Sequence, residues 1–298
     1  MKNLNKKLLS GILAVFFAIS LTGCQKELAM DENFPSFQLS QKVLEAKEKN
    51  SDVIGWIKVP GTDIDNVVMY SSDNDNYQRT TIDGQWDYFG EYFVDMDNVK
   101  AKSGLSDKFD LHTIIYGHNV YNGRKNLTQW QGHKIPDYGV DKVPTDYKDG
   151  EKFAQLFRYL DEDFAKENPY IYIGTDKEET PWEIFSVYYT DIKSFNRWNG
   201  YETMATKEGM MNTVSDSLAK SLYDFNVDVK ETDKIITLST CSYIDGADNH
   251  DLRFHVAARK VLPGEEFKEE ANITKNENKI SMDKTALKYP VKAINREA

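Results

Sequence analysis

The chain has 298 residues, of which 40% are hydrophobic and 12% aromatic, so it can bury a sizeable packed core. This composition excludes a disordered or a fibrous protein. Acidic side chains outnumber basic ones by 48 to 37, and the formal net charge of -11 argues against a general nucleic-acid binder, whose phosphate contacts need many lysines and arginines. The two cysteines, Cys24 and Cys241, exclude a disulfide framework and a cysteine-rich zinc site.

The N-terminus carries the pattern of an export signal. Three lysines precede an apolar run over residues 8–21, which is shorter than the about 20 apolar residues that a membrane-spanning helix needs. The run ends in Leu21-Thr22-Gly23-Cys24, which resembles the bacterial lipobox, where the cysteine is lipidated and becomes the mature N-terminus. An uncleaved signal anchor with a chance cysteine is the alternative. We predict a signal peptide over 1–23, a lipid anchor on Cys24 and a location on the extracellular face of the cell membrane.

After the export signal, the hydrophobic pattern predicts mostly strands. Residues 24–35 are polar and are predicted to form a tether, and the apolar spacing over 36–50 predicts a helix. Residues 121–148 show little periodicity and are predicted as a long irregular stretch. Strands are predicted over 53–62, 64–70, 89–95, 110–116, 171–173, 182–192, 234–240 and 252–262.

Two further helices and a polar tail complete the pattern. Apolar residues spaced by three and four predict an amphipathic helix over 153–164. Another helix is predicted over 207–223, with one face made of Met211, Val214, Leu218, Leu222 and Phe225. The tail from residue 263 has no apolar period and is predicted to be flexible or loosely docked. Many short strands with few helices favour a mainly β fold, a closed or partly closed β-barrel with helical insertions.

Several kinds of site are absent from the sequence. It contains no glycine-rich phosphate loop and no HExxH motif, which weakens the nucleotide-binding and metalloprotease interpretations. The five histidines do not form a metal-ligand spacing with carboxylates. We therefore predict neither a metal nor a cofactor.

Three side chains at the ends of predicted strands point to one chemistry. Cys241 ends the strand at 234–240, His118 follows the strand at 110–116, and Arg253 opens the last strand. Taken alone, each residue also fits an ordinary structural role. Together they supply a thiol nucleophile, a proton donor for a leaving amine and a positive charge for an oxyanion. This combination predicts acyl transfer through a thioester.

Strand geometry decides which arginine faces the thiol. If residues 242–251 connect antiparallel neighbours, Arg253 lies nearly opposite Cys241, whereas Arg259 lies opposite about residue 235. The two arginines are separated by about 20 Å along the strand, so only Arg253 can reach the thiol. No sequence feature indicates a resting thiolate–imidazolium pair, so we also predict slow turnover and a bell-shaped pH profile.

The motifs around these residues resemble those of the sortases. Thr237-Leu238-Ser239-Thr240-Cys241 with Arg253 twelve residues later, and Tyr116-Gly117-His118-Asn119, are similar to the family signature. Residues 53–70 resemble its first two barrel strands, and the N-terminal helix and the helix over 207–223 are similar to class B. The resemblance implies a sortase-type closed β-barrel of about eight strands with an N-terminal helix and inserted helices. It covers 36–262, the implied catalytic domain.

The resemblance also implies a role for each site residue. Cys241 would be the nucleophile, His118 the general acid and Arg253 the stabiliser of the oxyanion or the substrate. Four residues would line the groove for the sorting signal: Leu238, Ser239, Thr240 and Asn119. The activity implied is that of a Gram-positive cysteine transpeptidase, which cleaves a C-terminal sorting motif of surface proteins after threonine. It then transfers the thioester-linked chain to an amine of a peptidoglycan precursor or a pilin.

Three features depart from the family pattern. The stretch over 120–147 is longer than expected, a polar extension covers 263–298, and a lipobox replaces the usual anchor helix. Besides transfer, two alternative functions stay open. One is a cysteine peptidase that releases its product without transfer, and the other is a surface lipoprotein that is not an enzyme.

Overall fold

The computed structural model of the chain describes residues 30–98, 110–120, 127–130, 133–136, 143–144, 150–193, 204–246 and 251–290. The predicted signal peptide, Cys24 and most of the stretch over 121–148 lie outside these residues. Within them, no helix is long and apolar enough to cross a membrane.

A closed barrel of eight strands forms the centre of the molecule. In chain order the strands are β1 (Val53–Lys58), β2 (Asp65–Met69), β3 (Tyr92–Val94), β4 (His112–Tyr116), β5 (Asn119–Val120), β6 (Leu127–Trp130), β7 (His133–Pro136), β8 (Glu151–Lys152), β9 (Tyr170–Gly174), β10 (Glu179–Asp191), β11 (Tyr223–Asp224), β12 (Ile235–Cys241), β13 (Leu252–Lys260) and β14 (Thr274–Lys275). The barrel has the order β1-β2-β3-β4-β12-β13-β10-β9 and closes back onto β1. The predicted fold class is confirmed.

Short strand pairs lie outside the barrel. The stretch predicted to be irregular contains a hairpin of β6 and β7, and its two flanks pair as β5 and β8. The irregular assignment was wrong for β6 and β7, which lie within 121–148. Strand pairing depends on a partner segment, and the spacing of apolar residues in one short segment does not reveal that partner.

The barrel interior is filled by aromatic and branched side chains. Phe157 stacks on Phe254 with their ring centroids 4.5 Å apart, and Trp182 is completely buried. Phe157 belongs to the 3-10 helix Phe153–Leu160, which contributes most of its side chains to the same core. Burial of this helix fixes it across the barrel and next to β5 and β12.

Among the residues that the structure describes, the helices with both ends given are α1 (Leu39–Lys49), α2 (Glu162–Glu167) and α3 (Lys207–Lys220), besides the 3-10 helices Asn76–Gln78 and Phe153–Leu160. The single helix predicted over 153–164 is therefore two elements. Asp161 separates them because its backbone is extended and its side chain caps α2, accepting a hydrogen bond from the Phe164 amide at 3.0 Å.

The predicted face of the third helix is partly wrong. Met211 and Val214 are buried as expected, but Leu218 is 38% exposed and the helix ends at Lys220, before Leu222. The inner face carries a buried ion pair instead: the Lys220 ammonium lies 2.7 Å from the Asp216 carboxylate, and both side chains are 1% exposed. The spacing of apolar residues cannot reveal that charged side chains also lie on the buried face of a helix.

The polar tail is packed against the domain, which differs from the expectation of a flexible or loosely docked segment. Phe267 stacks on Tyr170 with ring centroids 5.6 Å apart, and β14 pairs with β11. Further along, Asn212 of α3 accepts a hydrogen bond from the Tyr289 amide at 2.7 Å and donates one to the Tyr289 carbonyl at 3.1 Å. Much of the tail is held by hydrogen bonds of its backbone. Because such bonds do not depend on apolar side chains, the polar composition of the tail did not indicate that it packs against the domain.

The tail also completes the buried ion pair of α3. The Ala286 amide donates to Asp216 Oδ1 at 2.9 Å, while Lys220 occupies Oδ2 and also donates to Thr190 at 2.9 Å. A buried carboxylate needs such donors because it is removed from water. The tail therefore stabilises α3 against β10.

Deleting residues 285–298 should lower the free energy of unfolding, because it removes the amide that faces Asp216 and both hydrogen bonds to Asn212. Each buried polar group left without its partner costs about 1–3 kcal/mol. Urea unfolding of the full and the shortened chain measures the loss. In an Asn212→Ala background the same deletion should cost less, and an unchanged unfolding midpoint for the shortened chain would contradict this account.

Candidate active site

The strand order brings three chain segments to one end of the barrel. β4 and β12 are parallel neighbours, with Tyr116 paired to Ser239, so both strands end at the same edge. β13 is antiparallel to β12 and therefore begins at that edge. A cleft of about 450 Å³ opens there, and Cys241, His118 and Arg253 all line it. The structure thus brings together the three residues that the sequence singled out.

Cys241 and Arg253 lie directly opposite each other on the neighbouring strands β12 and β13. They are register partners in the β12–β13 ladder, and both are half-buried. The predicted register is confirmed at the other end too, where Arg259 is opposite Ile235. Arg259 forms ion pairs there with Glu183 at 2.8 Å and Glu265 at 3.0 Å, and it does not line the cleft.

The backbone next to the thiol is held from the His118 side. Asn119 donates a side-chain hydrogen bond to the Cys241 carbonyl at 3.1 Å, and the Thr240 hydroxyl donates to the Gly117 carbonyl at 2.8 Å. Gly117 is required at its position, since a Cβ atom there would lie 2.7 Å from the Phe153 ring. These contacts connect the thiol-bearing strand to the turn that carries the imidazole.

The His118 imidazole is held by three neighbouring groups. Its Nε2 atom lies 2.9 Å from the Gln78 carbonyl oxygen and 2.5 Å from the Arg79 guanidinium. Its ring stacks on Tyr88 with the centroids 5.9 Å apart and 21° between the planes, and the Arg79 guanidinium lies 4.3 Å from the centre of the same Tyr88 ring. This cluster has no signature in the sequence, because it is formed by the long connection between β2 and β3.

The surroundings keep the imidazole uncharged at neutral pH. Removal from water and, next, the positive charge of Arg79 lower the pKa of His118 to about 4, although the Gln78 carbonyl acts in the opposite direction. Near pH 7 the site therefore does not hold a thiolate–imidazolium pair at rest. His118 in this state can accept a proton from the thiol and later return it.

The four residues expected to line the groove divide into two groups. Ser239 and Thr240 line the cleft. Leu238 does not, because it is fully buried in the barrel core. Asn119 is buried beside the cleft and holds the Cys241 carbonyl instead of presenting a surface to the groove.

Further residues that the sequence motifs did not reveal also line the cleft. Tyr116 donates a hydrogen bond to Asp95 at 2.7 Å, and Asn74 donates to the same carboxylate oxygen at 3.3 Å. Burial raises the pKa of Asp95. Ile192 and Met204, which flank the segment before α3, add apolar surface. Only Tyr116 belonged to a recognisable motif; the others arrive through loops whose course depends on tertiary packing.

The cleft has the groups needed for covalent chemistry on a carbonyl. A thiol nucleophile, a neutral imidazole and a guanidinium share it, and the described part of the chain contains no cluster of residues that could hold a metal ion. A peptide bond placed between the thiol and Arg253 could be attacked by sulfur while the guanidinium faces the oxygen.

Known proteins are similar to this chain in sequence and in fold. Sortase B of Listeria monocytogenes is 28% identical over 204 residues, which make up 68% of this chain and 68% of that protein. No family model matches the chain.

Among solved structures, Clostridium perfringens sortase B has a TM-score of 0.54 at 26% identity and covers 74% of this chain and 99% of its own. A Staphylococcus aureus sortase B–substrate complex has a TM-score of 0.56 at 21% identity and covers 75% of this chain and 86% of its own. A sortase B has also been solved in complex with triglycine. Together with the barrel and the cleft, these similarities support a class B sortase: the chain is similar to sortase B proteins in sequence and in fold.

Proposed function

We propose that the chain is a cysteine transpeptidase that cleaves a sorting motif of surface proteins and transfers the acyl part to an amine. The cross-strand pair of Cys241 and Arg253, in a cleft shared with His118, is the observation that carries this proposal. A thiol beside a fixed guanidinium is suited to form and stabilise a tetrahedral intermediate. Sortase B of S. aureus, which has the same fold, was solved as a substrate complex.

The first half of the reaction forms a thioester. Cys241 Sγ attacks the carbonyl carbon of the scissile peptide bond while neutral His118 takes the thiol proton. The carbonyl oxygen becomes an oxyanion and is faced by Arg253, whose planar fork offers two donors. The intermediate then collapses, the carbon–nitrogen bond breaks, and His118 returns its proton to the leaving amine.

The second half releases the acyl group to an acceptor. An incoming amine attacks the thioester carbonyl, and His118 takes the proton that the amine loses. The carbon–sulfur bond breaks, the thiol is restored with that proton, and a new amide is formed. A peptidoglycan precursor or a pilin lysine would supply the amine. The triglycine in the solved sortase B complex likewise has a free amino group at its N-terminus.

Product analysis tests this activity against hydrolysis. A panel of sorting peptides is incubated with the enzyme, with and without triglycine, and the products are identified by mass spectrometry. A peptide–triglycine adduct that is absent with Cys241→Ala is the expected result. Release of the free acid alone, at every triglycine concentration, would instead show a peptidase without transfer.

Replacing Arg253 should damage the chemical step. Arg253→Ala should lower kcat by about 100- to 1,000-fold, as removal of an oxyanion donor typically does. Arg253→Lys should recover little, because a point charge does not reproduce the planar fork. Steady-state kinetics with the cleaved peptide measure both variants.

Arg259→Ala is the matched control. It should keep kcat near the wild-type value but lower the free energy of unfolding by about 1–3 kcal/mol, because Glu183 and Glu265 lose a charged partner. If Arg259→Ala lost kcat while Arg253→Ala kept it, the assignment of the site would be wrong.

The acid limb of the pH profile should lie unusually low. Neutral His118 is the form that accepts the thiol proton, so kcat/KM should fall only as the pH approaches about 4, where His118 gains a proton. Arg79→Met removes the positive charge beside the imidazole, so the pKa of His118 rises and the acid limb moves toward its ordinary value of about 6.5. Arg158→Met, outside the cleft, should leave the limb unchanged. An acid limb that does not move in Arg79→Met would contradict this role of the guanidinium.

The location of the enzyme is also part of the proposal. The motif Leu21-Thr22-Gly23-Cys24 supports removal of residues 1–23 and lipidation of Cys24. A lipid anchor on the outer face of the membrane would hold the cleft near both a secreted substrate and the cell wall. The hydrophobic export run would carry the chain to that face.

Mass spectrometry of the native membrane form tests the anchor. The mature N-terminus should be Cys24 carrying acyl chains, and Cys24→Ala should lose the lipid mass. An intact Met1 in the membrane form would contradict lipidation.

A further inference from the structure

Three polar side chains form a row across the neighbouring strands β10, β13 and β12, directly beside Cys241 and Arg253. Tyr188 of β10 is the register partner of His255 on β13, and His255 is the partner of Ser239 on β12. Their side chains form a chain: His255 Nδ1 is 3.0 Å from the Tyr188 hydroxyl, and Nε2 is 3.0 Å from Ser239 Oγ. Nothing in the mechanism above uses this row.

This row lies two residues along the strands from Cys241 and Arg253. Ser239 precedes Cys241 by two residues on β12, and His255 follows Arg253 by two residues on β13, so each couple shares one face of its strand. The two rows are about 6.6 Å apart. Ser239 and His255 both line the cleft, although they are 3% and 7% exposed. An extended peptide whose scissile bond lies at the thiol would therefore pass Ser239 with a neighbouring residue.

The buried phenol determines which ring nitrogen carries the proton. Tyr188 is completely buried, and His255 is the hydrogen-bond partner that the described residues give its hydroxyl. A buried hydroxyl proton without an acceptor is costly, so the Tyr188 hydroxyl donates to His255 Nδ1. The proton of the neutral imidazole must then be on Nε2, which donates to Ser239 Oγ.

His255 stays neutral over the working pH range. Burial, helped by the positive charges of Arg253 and Lys220 and by His112, holds the pKa of His255 well below its usual value. It therefore does not compete with His118 as a proton donor. With Nε2–H occupying a lone pair of Ser239, the hydroxyl proton of Ser239 is left to be donated into the cleft.

We propose that His255 is a positioning residue that makes Ser239 a hydrogen-bond donor to a backbone carbonyl of the bound sorting peptide. This inference rests on the proposed function for its substrate, but the protonation pattern it requires is a property of the free protein. It assigns specificity for an extended peptide backbone to a relay of Tyr188, His255 and Ser239.

A second histidine provides an internal control. His112 Nε2 is 2.8 Å from Thr237 Oγ1, so it repeats the histidine–hydroxyl contact one step further down β12. Thr237 and His112 do not line the cleft. Changes at His112 therefore test what the loss of such a contact costs the fold alone.

The first experiment needs no variant and no substrate. Ring nitrogen chemical shifts of the histidines, measured by NMR on the full chain, distinguish the two neutral tautomers. Nε2–H is expected for His255 near neutral pH. A proton on Nδ1, or a charged ring, would overturn the inference even if the enzyme is a fully active transpeptidase.

The second experiment measures KM and kcat for a cleaved sorting peptide. In His255→Gln the amide nitrogen can take the place of Nε2, so the variant should stay within about twofold of the wild type. In His255→Asn the amide reaches only the Nδ1 position, so KM should rise by about 3- to 10-fold with kcat nearly unchanged. His112→Gln and His112→Asn should both leave KM unchanged.

The Ser239→Ala background decides whether His255 acts through the serine. There, His255→Asn should have no further effect on KM, because the hydroxyl that it orients is absent. An additive effect, or equal losses in His255→Gln and His255→Asn, would overturn the inference while leaving the transfer reaction intact. Absence of any cleavage by the wild type would instead refute the proposed function, and the tautomer measurement would still stand.

Discussion

The placement of β12 between β4 and β13 is the constraint on which the site depends. A parallel neighbour ends where β12 ends, and an antiparallel neighbour begins there. The thiol at the end of β12 therefore meets the imidazole that follows β4 and the guanidinium at the start of β13. No loop needs to fold over the barrel to assemble the three groups, since backbone hydrogen bonds in two ladders set their positions.

The electrostatics of the cleft follow from the positive charges placed around buried imidazoles. Arg79 is in contact with His118, and Arg253 lies beside His255, so both rings are favoured in the neutral form. One ring is thereby kept as a proton acceptor for the thiol, and the other as a fixed hydrogen-bonding group. The two histidines take different roles because His255 is held between two hydroxyls within the strands, whereas His118 lies in the turn after β4.

The outer layer of the molecule is held together differently from the barrel. The barrel core is apolar and aromatic, whereas α3 is attached through a buried carboxylate that the C-terminal tail helps to satisfy. A carboxylate away from water needs donors in fixed positions, and backbone amides of the tail supply one. Met204, which lines the cleft, lies just before α3, so the tail that holds α3 also supports the position of this side chain.

Strand periodicity in the sequence predicted a mainly β barrel, and the short connection after Cys241 predicted its register with Arg253 if the two strands are antiparallel neighbours. His118 was placed with them by its position at a strand end and by the motif resemblance, and the parallel pairing of β4 with β12 is what brings it there. Tertiary structure alone decided the contact of Arg79 with His118, the docking of the tail, and the fact that Leu238 faces the core and not the groove. Those features depend on which distant segments of the chain pack together. The periodic spacing of apolar residues within one segment carries no information about its partner segment.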